Sequence, residues 1–185
     1  SVLDNFNRPG SALGPNWRGS TSAYKIVGNQ QVDVRNNGPI YWRNAFGVNQ
    51  EVFVTLTDVD EDALEQNLLL KVQGSVLPNW GAGLIEVLYD ANSNTVTVWT
   101  FRPDTLAWYG YSPIPVTFAD GDQFGARALS NGLVLIYKNG VEVGAITLNT
   151  GDQAFFNPKG GRIGLWFINA KDAYFDDFGG GNIVP

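Results

Sequence analysis

Six tryptophans, seven tyrosines and eleven phenylalanines in 185 residues are the side chains whose chemistry stands out first. Flat indole and phenol rings combine a large apolar face with a polar tip, so they fill cores or lie against ligands. A sugar ring presents carbon-bound hydrogens that such a face can cover, while amides and guanidinium groups bond its hydroxyls. Two groups have suitable spacing. One is Tyr41-Trp42-Arg43-Asn44; the other is Trp99, Phe101, Trp108, Tyr109 and Tyr111 around the turn Pro103-Asp104-Thr105. Trp80, within Pro78-Asn79-Trp80-Gly81, falls in a loop. Trp80, Trp108, Tyr109 and Tyr111 are the expected ligand contacts, with Trp42 and Trp99 next. Trp17, Trp166, Phe167, Phe175 and Phe178 are expected in the core, as buried rings dominate β-sandwich interiors.

Carboxylates and nucleophiles are the next test. The chain has no histidine and no cysteine, which removes Ser-His-Asp and Cys-His chemistry, ordinary zinc sites and disulfides. Glu51, Glu86 and Glu142 stand alone in their segments, without the paired carboxylates of glycoside hydrolysis. No catalytic residue is assigned. The run Asp58-Val59-Asp60-Glu61-Asp62 has alternating oxygens suited to a hard cation. Ala63 and Leu69 occupy the places where an EF-hand needs Gly and Glu, so it reads as a solvated acidic loop. Asp4 with Asp176 or Asp177 is a second metal candidate if the chain ends meet.

The elements that must position these groups are short strands. Clear ones cover Glu51–Thr57, Leu68–Gln73, Leu84–Tyr89, Thr95–Phe101, Gly125–Leu129, Leu133–Tyr137, Glu142–Leu148 and Arg162–Ile168; weaker ones cover Tyr24–Ile26, Gln31–Arg35 and Ile40–Asn44. Asn139-Gly140 is a type I′ hairpin signal. Asn131-Gly132, Asp120-Gly121, Gly151-Asp152 and Gly160-Gly161 mark further turns. Pro113 and Pro115 belong at an edge or connection, since proline cannot donate to a ladder. The best helical stretch, Glu61–Gln66, amounts to one turn in a loop. If Pro103-Asp104-Thr105 sets Arg102 opposite Leu106, Trp99 faces Tyr109 on the side of Phe101 and Tyr111, with Trp108 on the other side. A one-residue slip would exchange the partners. The pattern predicts an all-β, two-sheet antiparallel sandwich of jelly-roll type, as one domain over residues 1–185. Its terminal segments are expected side by side, which would protect an edge. Gly179-Gly180-Gly181 is expected to form an exit toward a linker.

Composition bounds the partners. Hydrophobic residues make up 44% and charged residues 16%, which supports a packed core. The net charge is −6 and no basic run occurs, so nucleic acid and anionic membrane surfaces are disfavoured. No apolar run approaches bilayer length. Methionine is absent, which points to a processed product or an excised segment.

Several stretches carry a family likeness. Leu3-Asp4-Asn5-Phe6-Asn7-Arg8 with Leu13-Gly14-Pro15-Asn16-Trp17, the hairpin Leu133–Gly140, Gly164-Leu165-Trp166 and Ala173–Phe178 resemble concanavalin A-like (laminin G-like) jelly-roll domains. The resemblance implies a lectin-like, non-catalytic carbohydrate-binding module of an extracellular or cell-surface protein with several domains. Its partner would be a polysaccharide or oligosaccharide, held by aromatic stacking and polar hydrogen bonds. No cofactor is required, and a structural calcium is the one the resemblance implies. Because the superfamily also hosts adhesion domains, lyases and glycosidases, a structural domain or an atypical enzyme are the alternatives. Its glucanases carry Glu-x-Asp-x-x-Glu or Glu-x-Asp-x-Glu on one strand, absent here. Its lyases pair Tyr with a His this chain lacks.

Overall fold

Alternating Val, Thr, Ile and aromatic residues between Gly, Asn and Pro turns fold into sixteen strands among the described residues. The computed structural model describes residues 1–28 and 30–185. In chain order the strands are β1 (Val2–Asp4), β2 (Trp17–Gly19), β3 (Tyr24–Ile26), β4 (Val32–Val34), β5 (Gly38–Trp42), β6 (Gln50–Asp58), β7 (Glu65–Val72) and β8 (Leu84–Asp90). Then follow β9 (Thr95–Arg102), β10 (Ala107–Gly110), β11 (Ile114–Pro115), β12 (Asp122–Ala128), β13 (Leu133–Lys138), β14 (Val141–Thr147), β15 (Arg162–Ile168) and β16 (Tyr174–Asn182). They form two 8-stranded antiparallel sheets. One runs β14-β13-β12-β6-β16-β4-β3, with β1 also on β16; the other runs β10-β9-β8-β7-β15-β5-β2, with β11 also on β9. Among the described residues no helix is long and apolar enough to cross a membrane.

The sheets pack through their inner faces. Val52, Val54, Leu56, Phe124, Phe175 and Phe178 of the first meet Leu68, Leu70, Ile85, Val87, Val98, Leu165 and Phe167 of the second, all buried in one cluster. The strand β7 departs from alternation: Leu68, Leu69 and Leu70 are all fully buried. A strand apolar on both sides needs cover on both. Leu69 accordingly belongs to a second cluster, with Tyr41, Val72, Leu84 and Phe101, on the outer face of the second sheet. Trp80 and Trp166 pack against it. This outer cluster is the foundation of the site described below.

The chain ends do lie side by side, Val2 opposite Gly179 and Asp4 opposite Phe178. Asn139 (φ 52°) and Gly140 (φ 77°) form the left-handed pair of a tight hairpin between β13 and β14. Three expectations are corrected. Residues Glu65 and Gln66 begin β7 rather than close a helical turn. Gly151-Asp152 is not a turn but part of the α-helix α1 (Thr150–Phe156), capped by the Asn149 side chain accepting from the Asp152 amide at 2.8 Å. Gly179–Gly181 is no exit but ladder, paired with β6. A Cβ at Gly179 would lie 2.3 Å from the Phe53 ring, so the glycine makes room for that side chain.

Candidate functional site

The hairpin β9–β10 decides which rings share a face. Its ladder pairs Ala107 with Arg102, Trp108 with Phe101, Tyr109 with Thr100 and Gly110 with Trp99. Leu106 takes φ 51° and its amide bonds the Arg102 carbonyl at 3.0 Å, so the loop contains one residue more than Pro103-Asp104-Thr105. That shift corrects the expected register. Trp108 moves to the face of Trp99 and Phe101, and Tyr109 and Tyr111 move to the other side.

On the outer face of the second sheet, cross-strand pairs assemble a groove. Glu86 on β8 sits opposite Trp99, and Asn67 on β7 sits opposite Trp166 on β15. Trp80 arrives from the loop between β7 and β8, in a 3-10 turn capped by Asn79. Its ring packs against the outer cluster that contains Tyr41 of β5. The resulting groove encloses about 490 Å³ and is lined by Trp80, Trp99, Trp108 and Trp166, with Glu65, Glu86, Leu88 and Ile168. The size is that of a small-molecule site.

Three of the indoles contact one another at the rim. Trp80 and Trp108 stack with centroids 5.6 Å apart and planes 22° apart. Trp166 tilts against Trp80 at 5.8 Å and against Trp108 at 6.5 Å. Trp108 remains 37% exposed. Trp99 lies across β10 where there is no side chain: a Cβ at Gly110 would come within 2.8 Å of its ring.

The floor is polar. The Asn67 side-chain amide donates to Glu65 Oε1 at 3.1 Å and also to Glu86 Oε1. Glu86 is only 4% exposed. Burial, then the Glu65 charge and a hydrogen bond between the two carboxyls, push Glu86 up to about 8. Burial beside a second carboxyl thus favours the neutral form of Glu86. Asn67 Oδ1 is buried without a donor.

The other expected contacts lie elsewhere. Trp42 is 6% exposed and packs on Trp17 and Phe178, with centroids at 5.4 and 6.1 Å, so it belongs to the core. Tyr111 donates its hydroxyl to Asp152 Oδ2 at 2.5 Å, and the Thr100 hydroxyl reaches the same oxygen at 2.6 Å. Arg102 Nε completes the set at 3.0 Å from Asp152 Oδ1. These bonds fasten α1 to β9. Tyr109, 52% exposed, stacks edge-on against Tyr111 on that side. Of the rings expected at a ligand, Trp80, Trp99 and Trp108 share the groove. Trp166, expected in the core, joins them. Glu65, expected in an acidic loop, instead begins β7 and lines the groove; Asn67, which the sequence reading did not single out, is buried beneath it and bonds both carboxyls.

The terminal carboxylate of Asp4 is already engaged by protein donors rather than open to a calcium ion. Asp4 is held by Arg8 through Nη1 at 2.7 Å and Nη2 at 3.1 Å, by Trp17 Nε1 at 2.8 Å and by the Phe6 amide at 2.8 Å. Its oxygens are thus taken by protein donors. Asp176 accepts from the Asp177 amide at 2.8 Å. In the acidic loop, Asp60 Oδ1 accepts from the Asp62 amide at 3.1 Å. Among the described residues no three His, Cys, Asp or Glu side chains gather as a metal site.

No protein-family model matches the chain, and no curated protein sequence matches it. Solved structures do. The carbohydrate-binding module CBM66 from Bacillus subtilis superposes with a TM-score of 0.60 at 12% identity, covering 94% of this chain and 100% of that one. The exoplasmic/lumenal domain of VIP36, in a Ca2+/Man3GlcNAc-bound form, gives 0.62 at 10% identity over 100% and 88%. A non-specific endo-β-1,3(4)-glucanase of family GH16 gives 0.59 at 15% identity over 96% and 92%. Likeness at such identities establishes architecture and leaves function to the site. The chain has the concanavalin A-like jelly-roll fold.

Proposed function

We propose that the chain is a non-catalytic carbohydrate-binding module whose glycan lies along the groove of Trp80, Trp99, Trp108 and Trp166. The observation that carries this is four partly exposed indoles gathered over hydrogen-bonding Glu65, Asn67 and Glu86. A structural spacer has no reason to leave such rings uncovered, since each forgoes roughly 25 cal/mol for every Å² of apolar surface left wet. Indole faces would cover the apolar side of a sugar, and the carboxyls would accept from its hydroxyls. Solved carbohydrate-binding modules and lectins with the same fold support this use. An extracellular or cell-surface location, within a larger protein, belongs to the same proposal. Affinity electrophoresis through gels containing soluble polysaccharides tests it. At least one glycan should retard the native protein and not Trp108→Ala. Equal mobility of both across a broad panel would reject the proposal.

One observation favours a second use, glycoside hydrolysis: Glu65 and Glu86 converge in the groove, and burial pushes the Glu86 carboxyl toward the neutral form a general acid needs. Against it, Glu86 is almost completely buried and both carboxyls are tied to Asn67. Reducing ends released by the native protein and not by Glu86→Gln would establish hydrolysis.

A further inference from the structure

The groove floor has more acceptors than donors. Glu65 and Glu86 present four carboxyl oxygens, and the side-chain amide of Asn67 supplies hydrogens to one of each pair. Asn67 Oδ1, nine-tenths and more buried beside them, has no donor of its own. No Lys or Arg lines the groove. Ordinary hydroxyls bring one donor and one or two acceptors each, so they answer this imbalance only in part. An ammonium brings three donors, no acceptor and a full positive charge. The walls suit the same group. Indole faces attract cations more strongly than other aromatic side chains do, and rings set around a carboxylate are a general way to hold a positively charged nitrogen.

We infer that the groove selects glycans bearing a positively charged nitrogen, a free amino sugar in place of a neutral or N-acylated one, with the ammonium over the Glu65 and Glu86 carboxyls and the indoles around it. This deepens the carbohydrate-binding proposal and depends on it. The raised Glu86 carboxyl fits this use. A cation at the floor stabilises the ionised form, so binding recruits the second carboxylate.

Calorimetry at pH 6 with the glucosamine tetramer, the N-acetylglucosamine tetramer, cellotetraose and tetralysine tests the inference. The glucosamine tetramer should bind roughly tenfold or more tightly than either neutral tetramer, as one charge-assisted contact supplies. Glu65→Gln should erase that preference while leaving the circular dichroism spectrum unchanged. Trp108→Ala should weaken it by a similar factor, and tetralysine should bind no better than cellotetraose. Neutral tetramers binding as tightly as the cationic one would overturn the charge inference and leave the carbohydrate-binding proposal standing. A preference that survives Glu65→Gln, or is matched by tetralysine, would overturn the assignment to this site. Binding of no tetramer would overturn the amino-sugar inference and leave the carbohydrate-binding proposal to the gel panel.

Discussion

Replacing Glu86 with Gln should change how the stability of the fold depends on pH. In the folded chain Glu86 is pushed from its ordinary 4.5 up to about 8 by burial, by the Glu65 charge and by the bond between the carboxyls. The folded state therefore binds a proton that the unfolded chain has already lost. Linkage then fixes the sign: the contribution is fully present below the ordinary value and is lost as pH rises through about 8. The full displacement would amount to about 5 kcal/mol, at about 1.4 kcal/mol per unit. Relaxation around a buried pair reduces this, and about 3 kcal/mol is a realistic loss between pH 5 and pH 8. For a chain of this size that is a fall in Tm of about 6–12 °C. The replacing amide carries no charge and still offers a donor to Glu65, so the variant should match the native protein at pH 5 and exceed it by about 3 kcal/mol at pH 8. Lys71, buried and lowered to about 8, acts in the opposite direction above that pH, so the window must close there. Urea unfolding of both proteins at half-unit steps from pH 5 to pH 8 measures the difference. Parallel pH curves for the two would refute the shared-proton account of the groove floor.

Other substitutions probe the supports. Asp152→Ala leaves Thr100, Tyr111 and Arg102 without their common acceptor and should cost about 3 kcal/mol, seen as a lower urea midpoint with ligand affinity changed little. Gly110→Val puts side-chain atoms where the Trp99 ring lies, so glycan affinity should fall roughly tenfold while far-ultraviolet circular dichroism stays the same. Asp4→Ala strips Arg8 and Trp17 of a buried acceptor and should destabilise by about 2–3 kcal/mol; added calcium should not raise the melting temperature of the native protein.

Turn chemistry made much of the architecture legible. Asn139-Gly140 set its hairpin, and Val, Ile and aromatic alternation located most strands, because period-two patterning and left-handed turn residues are local properties. The groove was legible only in part. Trp80 was recognisable from its loop and Trp99 and Trp108 from their hairpin. The hairpin register turned on Leu106 adopting a left-handed conformation, which a leucine does not announce, and a shift of one residue sent Tyr109 and Tyr111 to the opposite face. Trp166 was detectable: Leu165 and Phe167 point inward, so the residue between them must face out. Glu65, Asn67 and Glu86 meet only through the pairing of separate strands, which no local pattern encodes. Trp42 misled because its neighbours Arg43 and Asn44 are exposed while the ring itself turns under β2.

Glycan is expected to meet the face formed by Trp80, Trp99, Trp108 and Trp166. The six indole N–H resonances, each assigned by single Trp→Phe replacement, report on it directly in a heteronuclear NMR titration with an oligosaccharide that binds. Signals of those four should shift together, saturating at one common affinity, while Trp17 and Trp42 stay in place. Shifts confined to Trp17 and Trp42, or a bound glycan that leaves the four groove indoles unmoved, would contradict it.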